Sequence, residues 1–336
     1  MKHITIVICN YNYERYLAAA IDSALRQDYA ETQVMVIDDG SNDGSRAIMQ
    51  AYGTRITSIF KENGGQVSAY NQAVGMLETE YAIFLDSDDI LYPSAVSEVM
   101  RFFAGGDWAK VQFSLDVMDT MGKLTGAYVP HSAPPADCGR LLQGGWLYPS
   151  PPASGNAYRV SALKQIFPVP EEAINRYGAD FYAIYGTALL GPVATVRESL
   201  GGYRVHNANS SGASFANSEK ISKAPEAVGM RWKILRDIVR TRLQIELPPS
   251  FHDFSHEKAR FCSSVYRASF SSRWRWLMRD SHTYLHTIVA NPFWGLKKKV
   301  GTLALSSLCL VPYSPLSDFA VRYIANPLAR GRGAVH

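Results

Sequence analysis

Short apolar runs alternate with amphipathic stretches through the first hundred residues of the chain. Ile4–Cys9 is an apolar run that reads as a strand. Glu14–Gln27 follows, with Leu17, Ile21, Ala24 and Leu25 at helical spacing. The pattern then repeats: a strand at Val34–Ile37, a helix at Ser45–Tyr52, a strand at Ile56–Phe60, a helix at Gln66–Leu77 and a strand at Ala82–Leu85. Pro93–Phe103 reads as the next helix, with Pro in its first turn. Alternation of this kind predicts an α/β domain with a mostly parallel sheet and flanking helices. Ligands of such sheets sit beyond the carboxyl ends of the strands.

The rhythm changes after Ser114. Pro- and Gly-rich clusters, "SAPPADCG" and "YPSPPASG", predict long loops up to Pro152. Asn156–Phe167 and "YGADFYAIYGTALLG" read as helices, and Val193–Arg197 as a strand. Beyond about Phe215 the composition shifts to helical segments rich in Arg, Trp and Phe. No internal repeat or low-complexity segment interrupts the chain.

Composition narrows the class. With 336 residues, 47% of them hydrophobic, the chain can bury a sizeable core as one large domain or two smaller ones. A net charge of +4 is too mild to point to nucleic acid. The basic excess sits in residues 290–336, where Lys297, Lys298, Lys299, Arg322, Arg330 and Arg332 face Asp318 alone. Cys9, Cys138, Cys262 and Cys309 form no metal-ligand spacing and read as free thiols of a reducing compartment. The N-terminal apolar run is too short for a secretory signal, and Val300–Pro312 is too short and too broken by Gly and Ser to cross a membrane.

Unusual residues gather at the carboxyl ends of the expected strands. The first ends in "CNYNYERY", the second in "VIDDGSNDGS" and the fourth in "LDSDD". In the last, Asp86, Asp88 and Asp89 follow a buried run directly. Like charges this close repel, so either the turn is solvated or a divalent cation compensates it; oxygen ligands suit Mg²⁺ or Mn²⁺. Neither a GxGxxG fingerprint nor a GxxxxGK[ST] loop is present.

Taken in order, "ITIVICNYNYERYL", "VIDDGSNDGS", "ENGGQVSAYNQAV" and "FLDSDD" resemble the nucleotide-sugar-dependent glycosyltransferases of family 2. The match is strong over residues 3–105 and weaker through "PPASGNAYRVSAL", "GADFYAIYG" and "YRVHNANSS" to Ser211. The resemblance implies a GT-A fold, Rossmann-like, with a catalytic domain at 1–215. Its nucleotide-sugar half would span about 1–105 and its acceptor half about 106–215. Residues 216–336 would form a helical extension that associates with a membrane or with a second copy of the chain. It also implies roles. Tyr11 and Asp39 would hold the nucleobase, and Asp86 would contact the ribose or a metal-bound water. Asp88 would bind Mn²⁺ or Mg²⁺, with His206 adding a contact to metal or diphosphate. Asp180 would be the catalytic base, although Ala179 stands where the family often has a second acid. The implied reaction is inverting transfer of a sugar, most often from a UDP-sugar, to a glycan or lipid-linked acceptor in bacterial surface polysaccharide synthesis. The implied location is cytoplasmic, peripheral on the inner membrane face.

The chemistry agrees with the resemblance. A diphosphate leaving group enters a carboxylate-lined cleft only with a cation, and an acceptor hydroxyl needs a base as it attacks. A nucleotidyltransferase would also use paired acids and metal, but calls for a Gly-rich basic loop after the first strand, which "CNYNYERY" is not. A non-catalytic nucleotide-sugar binding protein is the third reading, and joint presence of Asp39, Asp86, Asp88 and Asp180 argues against it. Trp146 and Tyr148 fit either a sugar-stacking surface or core packing. Phe293 and Trp294 beside three lysines suit a membrane interface as well as packing on protein.

Overall fold

In the computed structural model, residues 3–130, 132–172, 175–206, 218–266, 268–311 and 315–325 are described. They form two compact units: one of residues up to 205 together with 231–249, the other of 206–230 together with 250 onward.

The first unit begins with β1 (Ile4–Asn10), α1 (Glu14–Leu25), β2 (Thr32–Asp38), α2 (Ser45–Ala51), β3 (Thr57–Phe60), α3 (Gln66–Met76) and β4 (Tyr81–Asp86). It continues with β5 (Ile90–Leu91), α4 (Ala95–Gly105), β6 (Lys110–Met118), β7 (Leu124–Val129), α5 (Cys138–Gln143), β8 (Asn156–Arg159), α6 (Val160–Ile166), α7 (Ala179–Thr187) and β9 (Val193–Arg204). The sheet runs β3-β2-β1-β4-β8-β6-β9-β5, with β7 pairing β6. The first four strands pair in parallel. Beyond β4 the sense is mixed: β8 is antiparallel to both β4 and β6, while β9 is parallel to β6.

Strand alternation divides the side chains between two faces. Ile4, Ile6, Ile8, Ile83, Leu85, Val111 and Phe113 point to one face and form a core with α1, α2 and α4. On α1 this face is Leu17, Ala20, Ile21 and Ala24, spaced by three or four residues as a helix requires. Cross-strand partners share a face, so Ala82, Tyr158 and Lys110 point the other way together, as do Gln112, Asn156 and Thr195. Phe84 and Asp86 follow Ala82 by steps of two and join this second face. Here Tyr70 of α3 stacks on Phe84 at 4.0 Å between ring centroids. Tyr148, fully buried, donates to the Ile184 carbonyl of α7 at 2.7 Å, so it is a core residue and offers no sugar-stacking surface.

Several elements differ from the sequence reading, among them the helix α5 inside the segment expected as loop. Asn156–Arg159 is a strand and only Val160–Ile166 is helical. Leu124–Val129, expected as loop, is a strand whose side chains are largely exposed. β9 runs on to Arg204 past a register shift that follows Val196.

Helix α8 (Ser218–Leu243) contributes to both units. The second unit also holds α9 (Phe254–Val265), α10 (Phe270–Arg279), α11 (Ser281–Val289), α12 (Leu296–Leu310) and α13 (Pro315–Ala325). Its core is Phe261, Trp276, Tyr284, Ile288, Cys309 and Val321. Trp294 packs here as well, 4.5 Å from the Phe254 ring and with Lys298 over its face, so this aromatic serves internal packing. Arg273 is buried and donates to the Cys309 and Val311 carbonyls and to Ser317 Oγ, which satisfies the orphan carbonyls at the end of α12. No helix among the described residues is long and apolar enough to cross a membrane.

Replacing Arg273 with Met, which keeps the aliphatic bulk, strands these acceptors in a buried setting. We expect a loss of about 2–4 kcal/mol in the unfolding of the second unit, read as a lower urea midpoint by tryptophan fluorescence.

Candidate functional site

The carboxyl ends of β1 and β2 are tied together by side chains. Asp38, fully buried, accepts from Asn10 Nδ2 at 3.2 Å, from the Ser41 backbone N–H at 3.1 Å and from Arg46 Nε at 3.1 Å. Ser41 Oγ accepts in turn from the Asn12 backbone N–H at 2.9 Å. Asn12 adopts φ 57°, a left-handed conformation that Asn tolerates better than most residues, and its Oδ1 accepts from Asn42 N–H at 2.8 Å.

Asp39 holds the next loop. Its Oδ1 accepts from Lys61 Nζ at 2.7 Å and Gly64 N–H at 2.9 Å; its Oδ2 accepts from Gly65 N–H at 2.7 Å and Asn63 Nδ2 at 3.3 Å. A carboxylate has about four acceptor positions, so the chain itself occupies them. Gly65 sits at φ 90°, and a Cβ there would meet the Arg176 carbonyl at 2.7 Å, so both conformation and space call for glycine.

The acids at the end of β4 are held from two directions. Ser154 Oγ donates to Asp89 Oδ2 at 2.6 Å and accepts from the Asp86 N–H at 3.0 Å. Arg204, at the end of β9, donates its backbone N–H to Asp89 Oδ1 and its Nε to the Asp88 carbonyl, both at 2.8 Å. Ser154 is itself placed by the fully buried Asn156, which donates to the Pro152 carbonyl at 2.8 Å. Asn156 Oδ1 accepts from Lys110 Nζ at 2.8 Å. Burial lowers the Lys110 amine to about 7.

The electrostatics follow from this crowding. Burial raises the Asp86 carboxyl well above the usual range, and the charges of Asp89, Asp88 and Asp180 push it further. Burial and Asp88 likewise raise Asp89, against the bond from Ser154 and the Arg204 N–H. Asp180 lies in the first turn of α7, where the helix dipole favours a carboxylate. Burial nevertheless wins and raises it, with Arg231 opposing. Burial and then Asp88 and Asp86 lift the Tyr13 phenol to about 12. The Cys9 thiol is raised by burial and by Asp86 and Asp39, so it stays protonated and is no nucleophile.

The structure thus brings Asp86, Asp88 and Asp180 into one field. Asp39 lies at the end of β2, two strands from β4, and Tyr11 follows β1 with its side chain exposed. His206 is counted with the second unit, and the rest of "HNANSS" lies outside the described residues. Ser154, Arg204 and Tyr13 had no assigned role in the sequence, and Asp89 was noted without one. Only the short spacing of Tyr13 from "NYN" and the position of Ser154 in "PPASG" offered a signal.

The cluster has the chemistry of an incomplete cation site. Asp86 and Asp88 are hard oxygen donors whose mutual repulsion a cation would relieve. Among the described residues no three acidic, imidazole or thiol groups are arranged to cage a metal alone.

Residues 5–167 match the family described as Glycosyl transferase family 2. An uncharacterized glycosyltransferase of Nostoc sp. is 33% identical over 243 residues, covering 70% of this chain and 75% of that protein. A chondroitin synthase of Pasteurella multocida is 38% identical over 103 residues, which cover 30% of this chain and 11% of the synthase. Among solved structures, S. aureus TarS 1–349 superposes with a TM-score of 0.54 at 15% identity, over 98% of this chain and 92% of that one. A mannosyltransferase from Pyrobaculum calidifontis, in complex with GDP-Man and Mn²⁺, gives 0.52 at 15% identity, over 96% and 85%. These likenesses identify the architecture as the GT-A fold. Given that architecture, the matched residues and the Nostoc relative, the chain belongs to glycosyl transferase family 2 and is a glycosyltransferase.

Proposed function

We propose that the enzyme is an inverting, metal-dependent transferase that moves a sugar from a nucleotide-sugar, most simply a UDP-sugar, to a hydroxyl of a glycan or lipid-linked acceptor. The observation that carries this reading is the gathering of Asp86, Asp88 and Asp89 at one strand end, with Asp180 in their field. Asp88 would hold Mn²⁺ or Mg²⁺ directly, with Asp86 on the ribose or on a metal-bound water. When bound, that ion supplies charge neutralisation to a leaving diphosphate.

The chain's own residues take the other tasks. Asp180, buried and with its pKa raised, is suited to accept the proton of the attacking hydroxyl near neutral pH. One base and direct displacement at the anomeric carbon give inversion. The Asp39 loop receives the nucleobase, whose N–H replaces the longest of the four Asp39 contacts, that from Asn63 at 3.3 Å. Tyr11 covers the base with its exposed ring. Surface polysaccharide synthesis is supported by the chondroitin synthase relative and stays a proposal for this chain.

Peripheral attachment to the cytoplasmic membrane face belongs to the same proposal. Phe270, Trp274 and Met278 form an exposed stripe along α10, flanked by Arg275 and Arg279. Apolar side chains at headgroup depth beside guanidinium groups suit an anionic bilayer. In sedimentation with phosphatidylglycerol vesicles at low salt, the wild type should pellet and Trp274→Ser should stay largely in the supernatant. Equal recovery of both proteins in the supernatant would refute attachment.

Asp86 yields a prediction with a defined sign. Its folded pKa is raised, so its ionisation opposes folding: the protein gains stability below the unfolded pKa and loses it as pH rises through the folded one. Asp86→Asn should therefore raise the urea midpoint of metal-free protein at pH 8, with the gain shrinking toward pH 4. The same variant should lose most of the stabilisation that Mn²⁺ plus UDP gives the wild type.

Asp180→Asn should retain UDP binding by calorimetry while transfer falls by about 10²–10⁴-fold. Wild-type kcat should decline as pH drops through the raised Asp180 pKa, and the variant's residual rate should lack that limb. Near-wild-type transfer in the variant would remove Asp180 from the reaction.

A further inference from the structure

A second polar site lies on the same sheet face as Asp86, two strands away. A cavity of 310 Å³ is lined by Gln112, Ser114, Tyr128, Thr195 and Arg197 among others. That volume is at the low end for small-molecule sites, which run from about 300 to 1,000 Å³. Two of the lining residues carry buried polar side-chain atoms with no protein partner among the described residues: Gln112 Nε2 and Thr195 Oγ1. Gln112 is 0% exposed, and it is the register partner of Thr195. The native rule is that such atoms are paired.

The orientation of the Gln112 amide is fixed by its neighbour. Lys110 Nζ has three oxygen partners: Gln112 Oε1 at 3.1 Å, Ser150 Oγ at 3.2 Å and Asn156 Oδ1 at 2.8 Å. In the ammonium form one N–H serves each, so the amide turns its oxygen to Lys110 and its two N–H donors elsewhere. The cavity therefore offers a buried amide donor, a hydroxyl that donates or accepts, the half-exposed ring of Tyr128 and the exposed guanidinium of Arg197. Vicinal sugar hydroxyls match the amide and the threonine, a pyranose face matches an aromatic ring, and a carboxylate or phosphate matches the guanidinium. Adjacent strands lie about 4.8 Å apart, which puts β6 roughly 10 Å from β4, within the reach of a short saccharide spanning from the carboxylates.

We infer that this cavity is the subsite for a saccharide unit of the acceptor that carries an acidic group, held by Gln112 Nε2 and Thr195 Oγ1 with its anion toward Arg197. The inference rests on the transferase reading above for the word acceptor, and on the cavity alone for the saccharide.

The test separates the two. Saturation-transfer NMR on the full chain would use glucuronate, glucose 6-phosphate and N-acetylglucosamine as probes, with UDP calorimetry in Mn²⁺ run beside it. Thr195→Val keeps the shape and removes the hydroxyl; Gln112→Glu keeps the oxygen that Lys110 holds and removes the donor. Both should weaken all three saccharides by about tenfold, the scale of one lost hydrogen bond. Arg197→Gln should weaken glucuronate and glucose 6-phosphate and leave N-acetylglucosamine unchanged, and the contrast between those two acids tells carboxylate from phosphate. UDP affinity should be the same in Thr195→Val and Arg197→Gln. Thr195→Val should melt no lower than the wild type, since it deletes a buried hydroxyl without a protein partner. No saccharide signal in the wild type, or equal signals in wild type and both buried variants, would overturn the inference. A variant-sensitive saccharide signal without UDP binding would uphold the cavity as a saccharide site and overturn the transferase reading.

Discussion

Carboxylates crowded at the end of one buried strand repel one another, and much of the first unit can be understood as the scaffold that holds them in place. Asp86 closes β4, Asp88 and Asp89 follow within three residues, and Asp180 adds its charge from α7. A chain free to relax would turn these side chains into water. Here Ser154 bonds one acid's side chain and another's backbone, and Arg204 clasps the backbone of Asp88 while donating to Asp89. The clamps come from distant parts of the sequence, so the tertiary fold rather than local preference sets the spacing of the acids.

The arrangement is costly to the unliganded protein, as the raised carboxyls of Asp86 and Asp89 attest. Strain of this kind is tolerated where binding relieves it, and the metal-bound diphosphate of the proposed reaction would do so. The neighbouring loops carry no comparable tension. Asp38 and Asp39 are saturated with donors from Arg46, Lys61 and the backbone of residues 64 and 65, so that part of the cleft is already formed. Donor recognition thus joins a rigid half to a half that is electrostatically expectant.

The sequence displayed some of this and concealed the rest for physical reasons. β1, β2 and β4 were legible because parallel strands buried on both faces leave uninterrupted apolar runs. Asn156–Arg159 was not, because "NAYRVSAL" carries a helical spacing that continues into α6, and pairing with β4 and β6 overrides it. β7 was hidden because an edge strand with exposed side chains lacks the hydrophobic signal. In the site, Asp86, Asp88 and Asp180 stood out as a motif. Ser154 and Arg204 did not, since a serine in a loop and an arginine at a strand end gain their meaning only from partners 65 and 115 residues away.

Lys110 links the two halves of the cleft in a way that bears on how the enzyme can diversify. One amine grips Asn156, which sets the turn carrying Ser154, and also grips Gln112, which faces the second cavity. A change of residue at position 112 therefore reaches the acid-holding turn through a single nitrogen. Thr195 and Arg197 share no such bond. With the second cavity as the acceptor subsite inferred above, natural or directed variation that retargets the enzyme to new glycans should accumulate on β9 while β6 stays fixed, so that within this architecture one strand records the history of substrate choice and its neighbour the history of the chemistry.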